Sequence, residues 1–123
     1  MPRIPDADRE VVQVPMQDRS QVDLVFVGPG VAPGTSVRDA AYVGNTILGG
    51  AFTSRLNRSL RDDEGLTYWA GSWFEDLAGS SHWVATIGVN PENVEAGLEG
   101  VRRELREFVE DGTSLEEVEK ARE

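Results

Sequence analysis

The chain has 123 residues, the length of one ordinary domain, and sets 22 acidic against 12 basic side chains for a formal charge of -10. Such a surface repels phosphate backbones and anionic headgroups, which argues against nucleic acid and membrane as partners. The absence of cysteine rules out disulfides, thiolate metal sites and thiol catalysis, and no apolar run approaches the roughly 18 residues of a membrane span or the core of a signal peptide.

"MPRIPDAD" opens the chain with two prolines, three charges and almost nothing to bury, so residues 1–12 read as a lead-in that runs into a first strand. "VVQVP" and "QVDLVFVG" are predicted as strands, because valine-rich alternation puts Val22, Leu24 and Phe26 on one face. "GPGVAPGTS" interrupts the pattern, and Ser36 is a suitable N-cap for a helix beginning near Val37. Ala40, Ala41, Val43, Gly44, Ile47 and Leu48 then recur at helical spacing until Gly49 and Gly50 end the element.

Ser54 caps a second, short helix, "RLNRSLRDD", in which Leu56 and Leu60 face the same way. Gly65 closes it, since glycine takes the left-handed conformation without a Cβ penalty. "LTYWAGSWFED" and "SHWVATIGVN" alternate at period two around "LAGS" and form a long antiparallel hairpin. Pro91, behind a capping Asn90, starts the strongest helix, whose apolar stripe is Val94, Leu98, Val101, Leu105 and Phe108 and whose acids form a solvated face. Gly112 stops it, and "TSLE" reads as a capping box with Thr113 at N-cap and Glu116 at N3. The last helix has no end of its own, which suggests a cut chain. The order of elements argues for one α+β domain, residues 13–123, with a mainly antiparallel sheet and helices packed on one face.

Elimination narrows the chemistry. His82 is the single histidine, so no multi-histidine metal site can be assembled here; beside Trp83 at the start of a strand it reads as a surface histidine. No serine sits in a glycine-flanked nucleophile elbow, and "GPGVAPG" lacks the spacing and lysine of a phosphate loop. What survives is "LRDDEGLTYWAG", where Arg61 in the last turn of a helix and Tyr68 in the first residues of a strand flank a turn at Gly65. A guanidinium and a phenol at one corner would be two donors suited to a carbonyl or carboxylate oxygen. On spacing alone the plainer alternative is preferred, with Arg61 complementing the helix C-terminus and Tyr68 an ordinary strand aromatic.

"ILGGAFTSRLNRSLRDDEGLTYWAGSWFED" and "NPENVEAGLEGVRRELREFVEDGTSLEEVEKAR" resemble the insulinase, or pitrilysin-type, zinc metallopeptidases and the related mitochondrial processing peptidase and cytochrome bc1 core subunits. The resemblance runs from about Gln13 to the end. It is carried by a helix ending in Leu-Gly-Gly, then Ser-Arg-Leu, a Leu-Arg pair, an acid before Gly-Leu, and a tyrosine closely following. In that family two homologous α+β halves face each other across a closed chamber. One half carries an inverted zinc motif, His-x-x-Glu-His; the other lacks zinc and supplies an arginine and a tyrosine that hold the substrate backbone. The present chain has no His-x-x-Glu-His and carries Arg61 and Tyr68 at the spacing of that pair, so it resembles the zinc-free C-terminal half, truncated within a mitochondrial processing peptidase-like fold.

The resemblance implies peptide as substrate, zinc bound by a partner domain or separate homologous subunit and not by this chain, and no activity of this chain alone. Gly49 and Gly50 occupy the place of the family's glycine-rich loop, which is short here and serves equally as a helix stop. A structural subunit of the bc1-core kind and a free-standing interaction module are the alternatives on the same fold. An unpaired sheet edge and an uncovered apolar face lead to the expectation of self-association. Chamber specificity depends on both halves, and a cytoplasmic setting is favoured over a periplasmic or organellar one.

Overall fold

The computed structural model describes residues 11–16, 20–77 and 80–122. Its elements are strand β1 (Val22–Pro29), helix α1 (Ser36–Asn45) continuing into a π-helical segment (Thr46–Gly50), and a second π-helical segment (Asn57–Asp63). Strands β2 (Thr67–Leu77) and β3 (Ser80–Val89) follow, then a 3-10 turn (Pro91–Asn93), helix α2 (Val94–Asp111) and helix α3 (Leu115–Ala121). The sheet is antiparallel throughout, in the order β1-β3-β2. This is the α+β arrangement that the pattern of elements predicts.

Period-two alternation sorts the sheet into two faces. Val22, Leu24 and Phe26 of β1 stand opposite Val89, Ile87 and Ala85 of β3, and Ala70 and Ser72 of β2 flank Ile87 and Ala85 from the other side. The helices cover that face. Leu48, Leu56 and Leu60 from the helical segments and Val101 from α2 meet Ala70, Ile87 and Val89 in one core, with Val94, Leu105 and Phe108 packed around it. Four members of the apolar stripe of α2 therefore face the core as their spacing predicts, whereas Leu98 lies outside that cluster. Gly97 lets the helix approach the sheet, since a Cβ there would sit 3.1 Å from Ile87 Cδ1 and 3.2 Å from Val89 Cγ1. On the other face Val25, Val27 and Trp73 are exposed.

Several boundaries differ from the sequence reading, each for a local reason. "VVQVP" forms no strand: residues 11–16 carry no regular structure, their valines are exposed, and Pro15 has no N–H to give to a ladder. The lead-in before Val11 and the tip of the hairpin at 78–79 lie outside the described residues. Helix α1 is capped by Thr35, whose hydroxyl accepts from the Arg38 N–H at 3.1 Å, and not by Ser36. The capping box of α3 likewise sits one residue later than predicted, on Ser114 and Glu117, where Ser114 Oγ accepts from the Glu117 N–H at 3.1 Å and Glu117 Oε1 accepts from the Ser114 N–H at 3.0 Å. In both places two adjacent residues can cap, and the backbone selects one. Asn90 precedes the turn at Pro91 but makes no side-chain cap bond. Glu104 departs from the solvated acidic face of α2, being only 8% exposed, with Arg103 Nη2 at 3.7 Å.

Among the described residues β2 is an edge strand, yet its outer rim is not bare. Ala70 donates its N–H to Asn57 Oδ1 at 2.9 Å, and its carbonyl accepts from Asn57 Nδ2 at 2.6 Å. Two residues on, the Ser72 carbonyl accepts from Asn45 Nδ2 at 3.1 Å, while Ser72 Oγ and Trp83 Nε1 both donate to Asn45 Oδ1, at 2.6 and 2.9 Å. Two buried amides thus stand where a neighbouring strand would, which is how a protein closes an edge that cannot be left unpaired in a dry environment.

Candidate functional site

The helix-turn-strand corner around Gly65 is built from the backbone upward. The segment bearing Arg61 is wound with i to i+5 hydrogen bonds, as in Glu64 N–H to the Ser59 carbonyl at 3.0 Å. π-Helical turns are uncommon and concentrate at functional positions. Gly65 then takes φ +63°, and the Leu66 N–H returns to the Leu60 carbonyl at 2.8 Å, closing the turn as its glycine predicts. Arg103 of α2 braces the corner from behind, donating to Ser59 Oγ at 2.9 Å and pairing with Glu64.

On the far arm, a β-bulge interrupts the pairing of β2 with β3: Thr67 stands opposite Val89 and Ala70 opposite Ile87, so Tyr68 and Trp69 share the single position across from Gly88. Thr67 Oγ1 holds the bulge by donating to the Trp69 carbonyl at 2.7 Å and accepting from the Trp69 N–H at 3.2 Å. A bulge re-aims side chains. Here it turns both aromatics outward, leaving Tyr68 85% exposed, and the Trp69 ring folds over Gly71, where a Cβ would come 2.5 Å from its Cζ2. Simple alternation through "LTYW" would have sent Trp69 into the core.

Arg61 and Tyr68 therefore occupy the two arms of one corner. Asn57, one helical turn before Arg61, locks its arm to Ala70, two residues past Tyr68. The two side chains have different surroundings. The Arg61 guanidinium lies on the Phe52 ring at 3.8 Å and donates from Nε to Oδ1 of its neighbour Asp62 at 3.0 Å, with Nη2 2.9 Å from the same oxygen in an ion pair. It borders an open cleft of about 860 Å³ whose lining includes Phe52, Arg55, Arg58 and Lys120. Tyr68 is not part of that lining and projects from the strand into solvent.

The opposite wall of the cleft is α3, held by Arg55. Its Nε and Nη2 donate to the two Glu117 oxygens at 2.8 and 2.7 Å, and Nη2 also reaches the Gly112 carbonyl at 2.9 Å. The Arg55 bonds, aided by those from Ser114, hold the Glu117 carboxyl at about 2, well below its ordinary 4.5. Gly49 and Gly50 end the first π-helical segment, and they are not alike. Gly49 is buried where a Cβ would stand 2.4 Å from Ser72 Oγ and 2.9 Å from Leu56 Cδ1, whereas Gly50 is exposed. Close packing accounts for Gly49.

Among the described residues no group of three or more His, Cys, Asp or Glu side chains comes together as a metal site. His82 stands across from Glu75 and Pro29 in the sheet, with Ser80 Oγ 3.4 Å from its Nε2, and a lone imidazole of that kind does not fit zinc, which takes at least three protein ligands. Asn45, Asn57 and Phe52 escaped the sequence reading. Asparagine inside a helical pattern is the signal that could have marked the first two, since it is poor there without a specific partner.

Comparison with known proteins identifies the family. The description "peptidase M16 inactive domain" matches residues 1–123. A zinc protease of Streptomyces coelicolor, itself uncharacterized, is 32% identical over 101 residues, which are 82% of this chain and 22% of that protein. The crystal structure of a peptidase M16 inactive domain from Pseudomonas fluorescens superposes with a TM-score of 0.78 at 28% identity, covering 84% of this chain and 25% of that one. A protease from Helicobacter pylori shares the fold, with a TM-score of 0.67 at 24% identity over 82% of this chain and 24% of its own. The chain thus spans about a quarter of the length of each of these three proteins. It belongs to the peptidase M16 family of zinc proteases and matches the family's inactive domain.

Proposed function

We propose that this chain is the substrate-holding, zinc-free half of an M16 zinc protease, in which Arg61 and Tyr68 position the peptide backbone near the bond to be cut. The observation that carries this reading is the braced corner, in which Arg61 and Tyr68 stand on opposite arms of a turn locked by Asn57 to Ala70. Zinc and the activated water are supplied by a separate zinc-bearing domain or subunit. Arg61 donates from its guanidinium and Tyr68 from its phenol to a peptide carbonyl oxygen, most strongly as charge develops there. Without a His-x-x-Glu-His motif to bind zinc and activate water, the chain alone is expected to be inactive.

In the full-length zinc protease that contains this chain, Arg61→Ala and Tyr68→Phe each lower turnover by roughly a hundred- to a thousandfold, the usual cost of one such donor. Zinc content stays at the wild-type value. Near wild-type rates in both variants would sink the reading. They would select a structural role on the same fold, which the engagement of Arg61 by Phe52 and Asp62 favours as the second reading.

A further inference from the structure

Phe52 is the feature that the fold does not explain. It is 65% exposed, lies outside the core cluster, and sits between the two π-helical segments with its ring 3.8 Å from the Arg61 guanidinium carbon. Asp62 occupies the Nε and Nη2 groups of the same guanidinium at 3.0 and 2.9 Å, and among the described residues Arg61 makes no other hydrogen bond. One face and one edge of the planar cation are therefore already committed, and among the described residues Nη1 has no hydrogen-bond partner.

A free arginine side chain samples many rotamers, and a ligand that binds it must first freeze them. An aromatic face and an adjacent carboxylate do that in advance. From this geometry, and resting on the reading of Arg61 given above, we infer that Phe52 is a positioning residue that pre-orients Arg61 so that Nη1 meets the peptide carbonyl. Asp62 fixes the opposite edge.

The test uses the full-length zinc protease and a fluorogenic peptide that the wild-type enzyme cleaves. Phe52→Leu, Phe52→Trp, Arg61→Ala and the double variant Phe52→Leu/Arg61→Ala are compared by kcat and KM, with thermal unfolding as a check on folding. Phe52→Leu is expected to lower kcat/KM about two- to thirtyfold, the range of a cation–π contact. Phe52→Trp stays within about twofold of wild type, because it restores the aromatic face. In the Arg61→Ala background the leucine substitution has no further effect, since two residues that act as one unit are not additive. If Phe52→Leu is silent while Arg61→Ala is impaired, or if the two losses multiply, the positioning role is overturned and the substrate-holding role of Arg61 stands. If Arg61→Ala itself turns over at the wild-type rate, the positioning role of Phe52 falls together with the substrate-holding role of Arg61.

Discussion

Asn57 offers the sharpest test of how the corner is held. Its side chain is 1% exposed and bonds both backbone groups of Ala70, which is itself fully buried. Asn57→Ala removes the partners of a buried N–H and a buried carbonyl together. Each orphaned group costs about 1–3 kcal/mol, so the loss is about 2–6 kcal/mol, a large share of the 5–15 kcal/mol that typically holds a domain together. At roughly 4 °C per kcal/mol the unfolding midpoint falls by about 8–24 °C. Urea denaturation is the suitable assay, because an unchanged m-value with a lower midpoint separates lost stability from an altered unfolded state. Asn57→Asp sharpens the comparison: it still accepts from the Ala70 N–H, but at neutral pH it sets a carboxylate oxygen against the Ala70 carbonyl, where Nδ2 now donates at 2.6 Å. Asn57→Asp therefore destabilises at least as much at neutral pH and recovers part of the loss in acid. A free energy for Asn57→Ala within about 0.5 kcal/mol of wild type, inside the range of ordinary surface substitutions, would show that the rim of β2 does not depend on this amide.

Two further outcomes follow from the walls of the cleft. The Glu117 carboxyl, held at about 2 by Arg55 and Ser114 against an ordinary 4.5, contributes stability that is fully present above about 4.5 and is lost as pH falls toward about 2. Arg55→Gln should flatten that acid limb by about 1–3 kcal/mol, allowing for partial exposure, as read from urea midpoints across the pH series; an unchanged limb would refute the pairing as its cause. Gly49→Ala should cost about 1–3 kcal/mol by overpacking, because the new Cβ meets Ser72 Oγ at 2.4 Å and Leu56 Cδ1 at 2.9 Å. A neutral Gly49→Ala in the same denaturation assay would show that the segment shifts freely, as a substrate loop would.

What could be read from the residues alone was whatever a local pattern encodes. The hairpin, the Val94 to Phe108 stripe and the stops at Gly65 and Gly112 each depend on spacing or on a positive φ that one residue type tolerates, and the structure has them in place. The features that were missed depend on what lies across the fold. Asn45 and Asn57 look like poor helix residues until the rim of β2 is known to run beside them. The bulge at Tyr68 and Trp69 depends on register with β3, which alternation along one strand cannot reveal. α- and π-winding differ by one residue in hydrogen-bond reach, too little for an apolar period to separate over so short a segment.

The same division runs through the candidate site and explains why spacing alone left Arg61 and Tyr68 unremarkable. A plain alternating strand would bury every second residue after Gly65, so an exposed tyrosine there carries no information. Once Thr67 ties the bulge, two consecutive aromatics must face solvent, and the chain has to expose Tyr68 and Trp69 together. That costs apolar burial which a purely structural strand would keep. Arg61 makes the parallel case on the other arm, since Phe52 is also left in water to lie against it. On the proposed reading, a peptide lying along the corner covers the exposed aromatics on both arms and presents carbonyls to the donors of Arg61 and Tyr68.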